Sequence, residues 1–156
     1  MIGIRQRHIA SSYAAKARKQ SGNVKTVRIE SNRDCYCPID HEDFFVGWPV
    51  KPTLEVVMKH FEATHALFLV NDESEVVGFI SAITDHVLYA FIALLEVRNS
   101  DQGKGFGKLL IAEMLKSLKG TYAIDLVCDA ELESFYQPFG FTKSTAMIQR
   151  NRKALR

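Results

Sequence analysis

The chain has 156 residues, 47% hydrophobic and 24% charged, the balance of one globular domain that can bury a core without staples. No apolar run approaches the roughly 18 residues of a membrane span, and three cysteines are too few and too odd in number for a disulfide scaffold. The formal charge of +2 divides unevenly: 1–28 hold seven cations and no acid, 143–156 hold five and no acid, and 29–142 carry eight cations against all 18 acids, or −10. That is an acidic body with basic ends, so neither nucleic acid nor a membrane is expected as a partner.

In chain order, residues 1–22 lack a strong apolar face and read as a basic mobile arm or a short marginal helix. Their acid-free, Arg- and Ser-bearing composition also resembles an organelle transit peptide, but they hold no apolar region of the kind that directs secretion. A cytoplasmic protein is the expectation. One domain, 23–156, follows. Val24–Glu30 alternates as a first strand. Residues 31–52 form a loop with one helical turn. In it Cys35 and Cys37 make an isolated Cys-x-Cys with no second pair, so no metal site is expected. Thr53 is placed to cap a helix over 54–63, whose Leu54, Val57, Met58 and Phe61 share one face. Strands are expected at His65–Val70, Val76–Thr84 and Val87–Val97, joined by turns at Asn71–Ser74 and Asp85-His86, the latter read as solvated.

The pattern then changes. Arg98-Asn99-Ser100-Asp101 leads into Gln102-Gly103-Lys104-Gly105-Phe106-Gly107. A helix over Lys108–Leu118 follows, with Leu110, Ile111, Met114, Leu115 and Leu118 at helical spacing, ended by Gly120. Thr121–Cys128 reads as a buried strand, 130–137 as a short helix closed by Pro138, and Phe141–Gln149 as a last strand. Strand, glycine-rich turn, helix and strand make a crossover with two parallel strands. The fold class is α+β, with one mixed and mostly antiparallel sheet flanked by helices.

Three glycines between a strand and a helix start leave backbone N–H groups and the positive end of the helix dipole aimed at one spot, a phosphate site. Lys104 and Lys108 add charge there. The bland reading is a tight turn without a ligand. The spacing matches neither Gly-x-x-x-x-Gly-Lys-Ser/Thr nor the dinucleotide Gly-x-Gly-x-x-Gly. Gln102-Gly103-Lys104-Gly105-Phe106-Gly107 does fit Gln/Arg-x-x-Gly-x-Gly/Ala, and Phe135-Tyr136-Gln137-Pro138-Phe139-Gly140-Phe141 fits Phe-Tyr-x-x-x-Gly-Phe. Together they resemble the GNAT superfamily of acetyl-CoA-dependent N-acetyltransferases over about residues 24 to 150.

The resemblance implies a sheet splayed at an acetyl-CoA site. The pyrophosphate would lie on the backbone of Gln102 to Lys108, through Gly103, Lys104, Gly105, Phe106 and Gly107. The pantetheine arm would pair with the backbone of Leu95, Glu96 and Val97, whose N–H groups would polarise the thioester carbonyl; as side chains Leu95 and Val97 are core. Tyr136 would protonate the leaving thiolate, or merely pack beneath the cofactor, while Phe135, Phe139 and Phe141 are core. Two positions depart from the family pattern. Asp129 stands where an Asn commonly touches the pantetheine, and an ionised carboxylate cannot donate as an amide does. Phe91 stands where some members carry a glutamate base, so Glu96, an acid in an apolar strand, becomes the candidate base, against an outward, paired surface role. Phe45 and Trp48 of the aromatic loop are candidate acceptor contacts or, equally, plugs for the core under the loop, the latter the reading for Phe44. Cys128 has no His partner in evidence, so no acyl-enzyme is expected.

The implied activity is acetyl transfer to a primary amine, a cationic small molecule or peptide drawn by the acidic body. A non-catalytic acyl-CoA-binding module of the same fold is the alternative. A homodimer is compatible with both.

Overall fold

The computed structural model describes residues 26–36 and 41–151; the basic arm and Cys37 lie outside them. Five strands form one sheet in the order β1-β2-β3-β4-β5: β1 Val27–Glu30, β2 His65–Asn71, β3 Val76–Thr84, β4 Tyr89–Val97 and β5 Ala123–Leu126. The first four are antiparallel neighbours, and β5 runs parallel to β4. Helix α1 spans Leu54–Ala63 and α2 Phe106–Ser117. A last helical stretch combines 3-10 turns at Ala130–Leu132 and Gln137–Phe139 with α3, Glu133–Tyr136.

Alternation along β2 shows why its sequence is apolar throughout. Ala66, Phe68 and Val70 join an aromatic core with α1 residues Val57 and Phe61. Leu67 and Leu69 join a second core with α2 residues Leu110, Ile111 and Met114. A strand covered on both faces loses the polar half of its period.

Most elements fall where side-chain periodicity and caps place them. The Thr53 hydroxyl accepts from the Val56 N–H at 3.3 Å and starts α1. Strand β4 starts two residues later than its apolar run, because the Asp85 carboxylate accepts the N–H groups of Val87, Leu88 and Tyr89 and winds 85–88 into a turn. One expected element is absent. Residues 141–149 form no strand and pair with no β5 residue; they line the same cavity as β5. Met147 there is 99% exposed.

Candidate active site

The site begins where the sheet opens. Ladder pairs between β4 and β5 run from Tyr89↔Ala123 to Ile92↔Leu126, and β4 then continues alone on that edge through Ala93–Val97. On its other edge β4 carries a bulge: Ser81 pairs Leu94 and Ala82 pairs Ile92, leaving Ala93 without a partner. Such an extra residue bends a strand and re-aims its polar groups. A cavity of about 1180 Å³ lies beside this open edge, with Trp48, Ala93, Cys128 and Tyr136 in its wall.

Beyond β4 the chain makes a 3-10 turn, Asn99–Asp101, and then the glycine-rich turn. Gly103 (φ +75°) and Gly105 (φ +84°) have left-handed backbone, which glycine adopts without a Cβ penalty. Gly105 is the cap of α2 and has no side chain to satisfy the first helical N–H groups. Those donors, from Phe106 onward, are left for an anion, as a pyrophosphate requires. Gly107 keeps the helix close to Phe135, whose ring lies 3.3 Å from where a Cβ would stand. Lys108, exposed on the first turn, has no ion-pair partner among the described residues. Lys104 is engaged otherwise: its ammonium lies 2.7 Å from the Asp101 carboxylate and donates to the Ser100 carbonyl at 2.9 Å.

Asp101 is the anchor of this turn. It is 3% exposed and also accepts from Arg98 at 2.7 Å; Arg98 continues to Glu75 at 3.2 Å. Burial alone would push its carboxyl up, but Lys104 and Arg98 outweigh burial and hold it below the ordinary value. Gln102 reaches back to the Val97 carbonyl at 3.3 Å and so occupies one acceptor at the end of β4.

Glu96 and Tyr136 flank the open edge. Leu95 and Val97 pack into the α2-side core and Leu94 into the α1-side core, so Glu96, alternating with them, projects with Leu94 to the α1 side. Its carboxylate accepts from the Trp48 indole N–H at 3.1 Å and from the Phe45 backbone. Burial raises its pKa above the ordinary value against those two donors. Tyr136 sits in the α2-side core with its ring edge-on to Phe135 and Phe141. It is 8% exposed, and its hydroxyl has no hydrogen-bond partner among the described residues. Its pKa is pushed up to about 12, first by burial and then by neighbouring Cys128 and Glu96. The Cys128 thiol is likewise raised by burial.

The remaining candidates divide. Trp48 lines the cavity. Phe45 does not reach the acceptor wall and takes the other place open to it, the core: it is fully buried against Phe79, with left-handed backbone (φ +59°), and supports Trp48 edge-on at 5.2 Å. Glu96 does not itself line the cavity but reaches it through Trp48. Asp129 is exposed at the start of the last helical stretch, its side chain making no capping bond. Phe91 lines the cavity wall. The Asp101 anchor was not among the candidates. Arg98 and Asp101, three apart before the glycines, were a signal for it, whereas Glu75 comes from a distant turn. No group of metal-ligating side chains occurs among the described residues, and no described helix is long and apolar enough to cross a membrane.

A mixed sheet that opens beside a glycine-rich helix start is an architecture shared with solved acetyltransferases. A Deinococcus radiodurans protein assigned as an acetyltransferase superposes with a TM-score of 0.74 at 30% identity, over 80% of this chain and 87% of that one. A GNAT family protein of Streptococcus pneumoniae shares the fold with a TM-score of 0.63 at 24% identity, over 83% and 99%. An uncharacterized N-acetyltransferase, ycf52, of Porphyra purpurea is 31% identical over 103 residues, 63% of this chain and 59% of that protein. The family model for the acetyltransferase (GNAT) domain matches residues 46–153. The chain belongs to the GNAT acetyltransferase family, and it spans about three-fifths of the length of the ycf52 relative.

Proposed function

We propose that this chain transfers the acetyl group of acetyl-CoA to a primary amine by direct attack in a ternary complex. The observation that carries this reading is Tyr136: a nine-tenths buried phenol without a hydrogen-bond partner among the described residues, in the wall of a cavity at the open edge of β4. A buried hydroxyl left unpaired is costly, and a leaving thiolate is a group it would satisfy.

Acetyl-CoA, when bound, supplies an activated acyl carbon. The N–H groups at the start of α2 and the Lys108 ammonium hold its pyrophosphate. Backbone groups of Leu95, Glu96 and Val97 on the open edge align its arm and stabilise negative charge on the carbonyl oxygen. The Glu96 carboxylate, behind Trp48 at the cavity's edge, takes a proton from the incoming ammonium through a water, and the freed nitrogen lone pair attacks the acyl carbon. As the carbon–sulfur bond breaks, Tyr136 gives its proton to the sulfur, and the second proton that the attacking nitrogen sheds on becoming an amide returns through solvent to the phenolate. A phenol near 12 is a weak donor in water, yet burial raises a thiolate in the same place too, as it raises Cys128. Acid and base lie on opposite faces of one strand edge, so neither blocks the other. The acidic body favours a cationic acceptor, and the free thiols of Cys35 and Cys128 suit a reducing compartment such as the cytoplasm.

Mixing the protein with acetyl-CoA and a panel of amines should release free thiol in step with acetylated amine and without an initial burst. Binding of acetyl-CoA with no thiol release from any amine would instead support a non-catalytic acyl-CoA module. The base has its own test. Its working form is lost as pH falls through the raised Glu96 pKa, which sets the acid limb of kcat/KM. Trp48→Phe removes a donor to the charged carboxylate and raises that pKa further, so the limb should move to higher pH. A limb that does not move would take Glu96 out of the mechanism.

A further inference from the structure

The cavity extends well beyond the groups that the acetyl transfer uses. Tyr89, Phe91 and Ala93 alternate onto one face of β4 and all line it. On β5, Asp125 stands opposite Phe91 in the ladder and lines the same cavity. The Tyr89 hydroxyl donates to the Asp125 Oδ2, which fixes the carboxylate. Glu133, also in the wall, is neutralised by Lys143 at 2.6 Å; Asp125 has no ion-pair partner among the described residues. A fixed carboxylate in a wall that also holds Tyr89 and Phe91 is suited to an alkylammonium group, by charge and by cation–π attraction.

A second observation shows that the cavity is shaped for a ligand. The Tyr136 hydroxyl, nine-tenths buried in its wall, lacks a partner among the described residues. Asp125 and this reacting end can be placed along the strands. The bulge at Ala93 and Leu94 lies two to three residues beyond Phe91 on β4, and Cys128, beside Tyr136, lies three residues beyond Asp125. At the strand rise, both paths give about 7–10 Å.

We propose that Asp125, held by Tyr89, binds a second cationic group of the acceptor, so that the preferred substrates are diamines or peptides with two cations about 7–10 Å apart. The proposal rests on the acetyl-transfer reading, because it counts from that reaction's centre. It adds a length requirement to the general preference for cations. A monoamine lacks the group that Asp125 meets, and a short diamine cannot span the two points.

The test pairs hexylamine with hexamethylenediamine, equal in carbon chain and differing in the second ammonium. Trp48 is the only tryptophan of the chain and lines the cavity, so its fluorescence reports occupancy by either amine without any turnover. With the full chain at low salt, the diamine should bind about fivefold more tightly, the scale of one exposed charge pair. Asp125→Asn should remove that advantage while leaving hexylamine binding unchanged, and high salt should narrow it. Equal binding of the two amines by the unaltered protein would overturn the proposal, as would an Asp125→Asn loss shared equally by both. Thiol release in the presence of acetyl-CoA, followed in parallel, separates the two readings. Selective diamine binding without thiol release keeps the subsite and sinks acetyl transfer. Thiol release at equal kcat/KM from both amines keeps acetyl transfer and sinks the subsite. Neither signal sinks both.

Discussion

Tyr136→Phe is expected to lower kcat about a hundredfold, the lower range for losing a positioned acid, while acetyl-CoA affinity stays nearly constant. The ring keeps its edge contacts with Phe135 at 4.8 Å and Phe141 at 5.9 Å, and only the oxygen is lost. Because that oxygen has no hydrogen-bond partner among the described residues, its removal costs the fold nothing and relieves a buried polar group. The variant should therefore unfold at the same or a slightly higher temperature, by up to about 1 kcal/mol of added stability. Slower turnover with equal or greater stability is the signature of a group kept for chemistry. Unchanged kcat would leave Tyr136 as a packing residue only, and a large drop in melting temperature would contradict its unpaired environment. Single-turnover thiol release, calorimetric binding of acetyl-CoA and a thermal melt measure the three quantities.

Asp101→Ala acts on the fold and on cofactor binding together. Asp101 holds Arg98 and Lys104 at 2.7 Å each, and the Arg98 side chain is 12% exposed. Removing the carboxylate leaves a largely buried guanidinium with only the half-exposed Glu75. Truncating one member of a buried ion pair costs about 3–5 kcal/mol; screening through Lys104 and Glu75 reduces the expected loss here to about 2 kcal/mol. The glycine-rich turn also loses its anchor, so acetyl-CoA affinity should fall more than tenfold. The pH dependence has a definite sign. The Asp101 pKa is lowered in the folded state, so its contribution is complete above the unfolded pKa and disappears as pH falls through the folded one. Denaturant unfolding at several pH values should show wild type and variant apart at neutral pH and converging in acid. A constant gap across that range would mean that packing, and not the ion pairs, makes Asp101 matter.

Much of this site was legible along the chain because its chemistry is local. The Gln102–Gly107 turn needs left-handed glycines in sequence before a helix, and Gly103 and Gly105 have that backbone. The Thr53 cap and the turn made by Asp85 are likewise contacts between near neighbours. The acid in an apolar strand was visible, but what it meets was not: Trp48 reaches Glu96 across 48 residues. Nor does any local rule tell Phe45 from Trp48, of which one is buried and the other lines the cavity.

The sequence by itself determined the order of strands and helices through residue 139, the glycine-rich turn before α2 and the charge of the body, because each depends on periodicity, backbone freedom or a count. Tertiary structure alone decided which distant groups meet: the pairing of Tyr89 with Asp125, the Arg98–Asp101–Glu75 anchor, and a Tyr136 hydroxyl with no hydrogen-bond partner among the described residues. It also kept residues 141–149 out of the sheet, although their sequence suits a strand. A strand exists only where a second edge lies within hydrogen-bonding distance, and 141–149 line the cavity without pairing to β5.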